Sequence, residues 1–103
     1  MLNTTLENIM ITVTYTETRP ALSVGWYPTQ VDFIDYVVQT YKDTRTVIIW
    51  TLSPDMLSRT FVSSFTSQAD RDTYRNDPKV VQMGIAEDTY NTANGITCSK
   101  TIS

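Results

Sequence analysis

An arginine and several aromatic side chains are the residues of this chain best suited to hold a small organic ligand. Arg59 interrupts an apolar stretch with a guanidinium that can pair with a carboxylate. Trp26 and Tyr27 lie in a proline-flanked segment, and Tyr15 ends an alternating apolar stretch. Aromatic walls with a few polar groups are typical of small-molecule sites, although such side chains also fill cores and interfaces. The predicted ligand is a flat organic molecule with an acidic group, and the predicted ligand-binding residues are Tyr15, Trp26, Tyr27 and Arg59.

The cysteine and histidine content excludes several kinds of chemistry. The chain has one cysteine, Cys98, and no histidine. An intramolecular disulfide, histidine-dependent nucleophiles and histidine-ligated zinc or haem are therefore excluded within the chain. A metal site would need carboxylates alone, and the acidic residues suit helix caps and solvated helix faces instead. We predict no metal and no cofactor, and we expect the Cys98 thiol to be buried and unreactive.

Length and charge limit the partners that we expect. A chain of 103 residues suits a single domain, residues 1–103, whose limited burial makes self-association a natural supplement. The net charge is −3 and the eight basic residues are scattered along the sequence, so we expect no nucleic-acid partner. No apolar run reaches the roughly 18 residues of a membrane span, and the N-terminus does not resemble a signal peptide. We therefore expect a cytoplasmic protein without a membrane partner.

Hydrophobic periodicity predicts the elements that must position these residues. Alternation and β-branching predict four strands, at residues 9–16, 46–52, 57–65 and 96–102. Helical spacing predicts a first helix at about 29–43, with Thr29 as its N-cap. A second helical region extends from the cap at Ser67 to Asn94-Gly95, with a break at Asp77-Pro78. The resulting order is β-α-β-β-α-β.

The strand at 46–52 is apolar on both faces, which indicates that something covers each side of the sheet. Simple alternation places Val47 and Ile49 on one face, and Ile48, Trp50 and Leu52 on the other. Helices can cover only one of these faces. We therefore expect a homodimer that forms through the sheet, because a two-fold dimer is the commonest way to cover the other.

The element order and one stretch of sequence resemble the dimeric α+β barrel group of ferredoxin-like proteins. The stretch comprises residues 65–70 (Phe-Thr-Ser-Gln-Ala-Asp) and 74–78 (Tyr-Arg-Asn-Asp-Pro). In this group a strand commonly ends in an aromatic residue, and a capped short helix and a second helical segment follow. The resemblance implies an α+β fold with an antiparallel sheet, helices on one face and sheets paired in a dimer.

The same group includes antibiotic-biosynthesis-monooxygenase-like enzymes that need no cofactor, haem-degrading enzymes, isomerases and proteins of unknown role. Many of its enzymes use a histidine, which this chain lacks. The resemblance therefore implies the fold and the dimer, and it assigns no catalytic residue.

Two functions remain open, and the sequence leaves undecided whether the protein is an enzyme. The first is a protein that binds a small organic molecule, with a monooxygenase-like or isomerase-like enzyme as its catalytic form. The second is a non-catalytic structural or assembly subunit of a homo-oligomer. We expect any ligand between the first helix, the loop 20–28 and the inner face of the sheet. A cavity with a buried polar group would favour the first function, and a filled interior would favour the second.

Overall fold

The protein is an α+β fold in which a four-stranded antiparallel sheet carries helices on one face. The computed structural model describes residues 9–103. In chain order the elements are β1 (Ile11–Thr18), α1 (Val31–Thr40), β2 (Arg45–Leu52), β3 (Ser58–Phe65), α2 (Gln68–Arg75), α3 (Pro78–Ala93) and β4 (Thr97–Ile102). The strands lie in the order β2-β3-β1-β4, and each neighbouring pair is antiparallel. The predicted ferredoxin-like fold class is therefore confirmed.

Local capping residues determine where the second and third helices begin and end. Ser67 Oγ accepts a hydrogen bond from the Asp70 N–H at 3.1 Å at the start of α2. Asp77 Oδ1 accepts from the Lys79 N–H at 2.9 Å, and this bond starts α3. Gly95 follows α3 with a φ of 70°, the left-handed conformation that commonly ends a helix. The predicted break between two helical segments and the predicted stop are both confirmed.

The first helix is shorter than predicted and begins without a side-chain cap. It spans Val31–Thr40, whereas the periodicity predicts about 29–43. Gln30 holds the N-cap position and its side chain makes no capping hydrogen bond, so the prediction of Thr29 as the cap is wrong. The helix ends early because the chain turns directly into β2, with the Arg45 N–H donating to the Tyr41 carbonyl at 2.9 Å.

A β-bulge in β2 changes which of its side chains face the helices. The pairing of β2 with β3 shifts between Val47 and Ile49, so that Ile48 is the extra residue. Val47 and Trp50 consequently lie on the helix-facing side of the sheet, which we call the inner face. The prediction that Trp50 lies on the opposite face from Val47 is wrong, since strict alternation holds only in a strand without a bulge.

The apolar core is small for a chain of this length. Within residues 9–103 the buried hydrophobic side chains are Val37, Tyr41, Phe65 and Ile96. The outer face of the sheet is rich in hydroxyls, and the Thr16 and Thr60 side chains are hydrogen bonded there at 3.1 Å. The helices therefore cover the inner face of the sheet without filling the space above it.

None of the described helices is long and apolar enough to cross a membrane.

One carboxylate ties α1 to the start of α3. Asp77 Oδ2 accepts hydrogen bonds from the hydroxyls of Tyr36 and Tyr41, both at 2.6 Å. These two bonds hold the pKa of the Asp77 carboxyl below its ordinary value. The Tyr41 ring also packs edge-on against Tyr74, with ring centres 5.1 Å apart. Asp77 thus caps α3 and anchors it to α1 at the same time.

Replacing Asp77 with asparagine should separate these two roles. Asparagine caps a helix about as well as aspartate, but it removes the charge that both tyrosine hydroxyls bind. We expect Asp77→Asn to lower the free energy of unfolding by about 2 kcal/mol, as measured by urea denaturation at neutral pH. Asp43→Asn, which removes an exposed carboxylate, should change it by less than about 0.5 kcal/mol. Equal urea midpoints for Asp77→Asn and the wild type would contradict this account.

Candidate functional site

A cavity of about 630 Å³ lies between the inner face of the sheet and the three helices. Its size is in the range of small-molecule sites, roughly 300–1,000 Å³. Much of its wall is apolar, with contributions from Val13, Phe33, Val37, Phe61, Phe65 and Met83. Polar side chains are concentrated in two groups, one around Glu17 and one around Arg71. We call them the carboxylate cluster (Tyr15, Glu17, Arg59 and Glu87 of the lining, with Asn91, which is hydrogen bonded to Glu17) and the arginine group (Arg45, Arg71 and Arg75).

Glu17 is the centre of the carboxylate cluster and is only 2% exposed. Its Oε1 accepts a hydrogen bond from Arg59 Nε at 2.5 Å, and its Oε2 accepts from Asn91 Nδ2 at 2.7 Å. Glu17 and Arg59 are direct neighbours across β1 and β3, whereas Asn91 belongs to α3. The Glu17 carboxylate therefore ties β1 both to β3 and to α3 through charge-assisted hydrogen bonds.

Glu87 is a second carboxyl group in the cluster, one helical turn before Asn91. Its Oε2 lies 3.7 Å from Arg59 Nη2. Burial is the main cause that raises the pKa of Glu87 to about 7, followed by the negative charge of Glu17, while Arg59 opposes the rise. The Arg59 guanidinium therefore lies close to two carboxyl groups. The summed charge of Arg59, Glu17 and Glu87 is closest to zero when Glu87 holds its proton.

Tyr15 lies beside Glu17 on the inner face and lines the cavity. Burial raises the pKa of its phenol, and a hydrogen bond with Cys98 and the negative charge of Glu17 raise it further. The phenol consequently keeps its proton at neutral pH. Cys98 is exposed, so the prediction of a buried thiol is wrong; it lies on β4, an edge strand of the sheet.

The arginine group contains a buried cation without an anionic partner. Arg71 is 5% exposed, and among residues 9–103 its guanidinium takes part in no ion pair. Burial, and then the positive charge of Arg75 one turn along α2, lowers the pKa of Arg71. Like charges one helical turn apart destabilise a helix unless something neutralises them. Both side chains line the cavity, where an anion would reach them.

Arg45 completes the arginine group from the start of β2. Its guanidinium lies 5.0 Å from the ring centre of Tyr74 and 5.6 Å from that of Phe61. Its Nε is buried, and no hydrogen-bond acceptor is found for it in the described part of the chain. Stacking on two aromatic rings holds the arginine in place and leaves its polar edge available.

The fold gathers positive charge that is scattered in the sequence. Five of the eight basic residues line this cavity although the net charge of the chain is −3: Arg45, Arg59, Arg71, Arg75 and Lys100. The acidic lining residues are Glu17, Glu87 and Asp88. Since Glu17 and Arg59 neutralise each other, the excess positive charge belongs to the arginine group and Lys100. Residues 9–103 contain no group of three or more acidic or cysteine side chains that could hold a metal ion.

Of the four residues predicted to bind a ligand, Tyr15 and Arg59 line the cavity. Trp26 is not among the described residues of the lining. Its ring lies between two guanidiniums, with Arg19 Cζ and Arg59 Cζ each 4.7 Å from the ring centre. Trp26 therefore contacts Arg59 through its ring, which two cations approach and which does not line the cavity.

Tyr27 also lies outside the lining of this cavity. Its ring packs edge-on against Tyr90 of α3, with centres 5.6 Å apart. The Tyr90 hydroxyl donates to the Gly25 carbonyl at 2.6 Å, which anchors the loop 20–28 to the helix. Tyr27 lines a second, more open cavity of about 360 Å³ beside α1 instead. The loop thus packs at the end of α3 and leaves the main cavity to the sheet and the helices.

Glu17, Glu87 and the arginine group are not among the predicted site residues, although the sequence holds a signal for Glu17 and another for Arg71 and Arg75. Glu17 continues the apolar face of β1 after Val13 and Tyr15, and a charged residue at a core position usually has a partner. Arg71 and Arg75 form a like-charged pair at helical spacing. Neither signal identifies the partner, because that depends on which strand lies alongside.

The known proteins that this chain resembles are found by comparing folds, and not by comparing sequences. No protein-family model matches the chain, and no curated protein sequence matches it. A candidate antibiotic biosynthesis monooxygenase of Caulobacter crescentus CB15 has a TM-score of 0.63 at 15% identity, over 97% of this chain and 94% of that chain. A variant of SnoaB, a cofactor-independent oxygenase from Streptomyces nogalater, has a TM-score of 0.51 at 12% identity, over 91% and 90%.

A third structure has the same fold. A DABB-family protein from Mesorhizobium loti with a ferredoxin-like fold has a TM-score of 0.51 at 16% identity, over 91% of this chain and 94% of that chain. The chain therefore shares the fold of antibiotic-biosynthesis-monooxygenase-like and other ferredoxin-like proteins, and the resemblance inferred from sequence is confirmed at the level of fold.

Glu87→Gln should change how the stability of the protein depends on pH. The folded pKa of about 7 lies above the unfolded value of roughly 4.3, so the stabilisation from the protonated carboxyl is complete below the lower value and is lost as pH rises through about 7. Glutamine imitates the protonated form. The variant should be close to the wild type at roughly pH 4 and exceed it near pH 8.5 by about 1 kcal/mol, a figure that allows for solvent screening in an open cavity.

Urea unfolding at the two pH values measures this difference. Asp35→Asn, which removes an exposed carboxylate from α1, serves as the control and should show no such rise. A difference between Glu87→Gln and the wild type that is the same at both pH values would count against the raised pKa.

Proposed function

We propose that this protein binds an elongated, flat organic anion in the cavity between the sheet and the helices. Arg71 carries the proposal, since it is buried, lines the cavity and has no anionic partner in the described part of the chain. Burying an unpaired cation is costly. A carboxylate, sulfonate or phosphate on a ligand would supply the missing partner, with Arg45 and Arg75 beside it.

The dimensions of the cavity support an elongated ligand. Arg45 lies in the same row of the sheet as Ile11, and Glu17 lies six residues further along β1. This separation corresponds to roughly 20 Å of strand. Long side chains project into the space from both ends, and the wall between them is aromatic and aliphatic. A molecule of two or three fused rings with an acidic group at one end suits this shape.

The fold supports an enzyme that acts on this ligand without a cofactor, in a monooxygenase-like or isomerase-like reaction. Two of the similar structures are a candidate monooxygenase and an oxygenase, and this support rests on analogy of fold. The alternative is a non-catalytic structural or assembly subunit, in which the cavity binds no organic anion. Binding measurements separate the two functions.

The ligand class is tested with a pair of dyes, 8-anilinonaphthalene-1-sulfonate and N-phenyl-1-naphthylamine, which lacks the sulfonate. Arg71→Gln should weaken binding of the sulfonate about tenfold, which corresponds to about 1.4 kcal/mol for a charge-assisted contact, and should leave binding of the neutral dye unchanged. Lys42→Gln removes the same charge outside the cavity and should affect neither dye. Fluorescence titration measures all six affinities.

Two results would contradict anion binding by the cavity. One is equal weakening of sulfonate binding by Arg71→Gln and Lys42→Gln, which would mean that only net charge matters. The other is that neither dye binds, which would favour the structural subunit.

We propose in addition that the chain forms a homodimer, and the exposed apolar side chains of β2 support this. Five of them are between 39% and 60% exposed: Val47, Ile48, Ile49, Trp50 and Leu52. β2 is an edge strand of the sheet, and an apolar edge strand tends to associate with another chain. A second copy that covers β2 would also cover Trp50, which borders the cavity. Dimerisation would thereby close the open side of the ligand site.

Trp50→Lys should prevent this association. The wild type is expected to sediment as a dimer at about 10 μM, and the variant as a monomer, because a charge in the centre of an apolar interface is left without a partner. Leu22→Lys changes an equally exposed apolar residue in the loop 20–28 and should leave the dimer intact. A monomeric wild type, or dimers in both variants, would refute association through β2.

A further inference from the structure

We propose that Glu87 is the proton-transferring residue of this cavity, which moves a proton from an acidic C–H of the bound organic anion to another atom of the same molecule. Glu17, Arg59 and Asn91 are positioning residues that hold Glu87 in place and balance its charge. The inference rests on the proposed function, since it needs an organic anion in the cavity. It adds a reaction, a 1,3-proton shift, and names the group that performs it.

The hydrogen bonds of the cluster distinguish the two carboxyl groups. Glu17 uses both oxygens, with Arg59 at 2.5 Å and Asn91 at 2.7 Å, and is buried. Glu87 reaches Arg59 only at 3.7 Å, which is longer than a hydrogen bond. Glu17 is therefore committed to holding the sheet and helix together. Glu87 makes a hydrogen bond with Glu17 and lines the cavity, where it can exchange a proton with a ligand.

Titratable groups on three strands and one helix surround Glu87. Glu17 and Tyr15 face it from β1, Arg59 from β3, and Asp88 follows it on α3. Lys100 of β4 lies opposite Tyr15 and lines the same cavity, whereas α1 contributes apolar lining residues such as Phe33 and Val37. With a pKa of about 7, the Glu87 carboxyl can both accept and donate a proton at neutral pH.

The step balances within the ligand and the protein. The ionised Glu87 carboxylate forms an O–H bond as a C–H bond of the ligand breaks. The electron pair of that bond remains on the ligand as an enolate, whose oxygen can pair with the positive charge of Lys100. In a β,γ-unsaturated ketone the enolate extends over the neighbouring C=C bond, so the proton returns to the γ carbon, the double bond moves into conjugation with the carbonyl, and the product is an isomer of the ligand. No oxidant, reductant or second substrate is required.

The first experiment needs no ligand and follows the side-chain carboxyls by ¹³C NMR from about pH 4 to about pH 9. One resonance should titrate near pH 7 and be absent from Glu87→Gln, a variant that imitates the protonated side chain and should fold. Glu17→Gln should lower the midpoint, because it removes a negative neighbour and frees Arg59. Arg59→Gln should raise it. A Glu87 midpoint near its ordinary value of roughly 4.3 would overturn the proposal.

The second experiment measures proton transfer with 3-oxo-1-indanecarboxylate, a flat bicyclic ketone that carries a carboxylate. In D₂O, proton NMR follows exchange of the hydrogens next to the ketone, and competition with 8-anilinonaphthalene-1-sulfonate measures binding. The wild type should accelerate exchange at least about tenfold over buffer. Glu87→Gln should lose this acceleration and keep its affinity within about twofold. Arg71→Gln should instead bind weakly and exchange normally at saturation.

The outcomes separate the two proposals. Binding without accelerated exchange, or acceleration that survives Glu87→Gln, overturns proton transfer by Glu87 and leaves anion binding intact. No binding of either anion overturns the proposed function, and the inference falls with it.

Discussion

The buried carboxylate of Glu17 is the group on which the relation of the sheet, α3 and the cavity depends. It lies on β1, an inner strand, and joins β3 through Arg59 and α3 through Asn91. Burying a carboxylate is costly unless its oxygens accept hydrogen bonds. Glu17 therefore needs both Arg59 and Asn91 as partners. The same arrangement brings Glu87 to the guanidinium that Glu17 already occupies. A structural ion pair thereby produces the unequal carboxyl groups of the site.

Polar contacts at both ends of α3 explain why the space beneath it stays open. Asp77 ties the start of the helix to α1, and Asn91 ties its last turns to β1. Few apolar side chains are fully buried between these two contacts. A small domain gains little stability when its interior is not filled, which makes cover from a second chain and from a ligand energetically valuable. The cavity and the exposed apolar edge at β2 are thus two results of the same incomplete packing.

Under the proposed function, the two polar groups of the cavity would have separate roles, one in binding and one in chemistry. The arginine group lacks carboxylate partners among the described residues, and it suits recognition of a fixed negative charge. In the carboxylate cluster the charges are nearly matched, and the position of one proton decides the balance. An elongated ligand that is held at one end would present its other end to Glu87. Trp26 lies outside the cavity lining, and its ring packs against the Arg59 guanidinium.

The sequence by itself determined the types and order of the elements and the caps at Ser67 and Asp77, because periodicity and capping depend only on neighbouring residues. It also indicated that Tyr15 and Arg59 share apolar faces with core residues. Only the tertiary structure decided that Arg59 pairs with Glu17, since residues 42 positions apart meet through the register of β1 and β3. The bulge at Ile48 and the convergence of the arginine group likewise depend on how strands and helices lie side by side. Local patterns carry no information about that arrangement, and for this reason the charges of the cavity could not be predicted from the sequence.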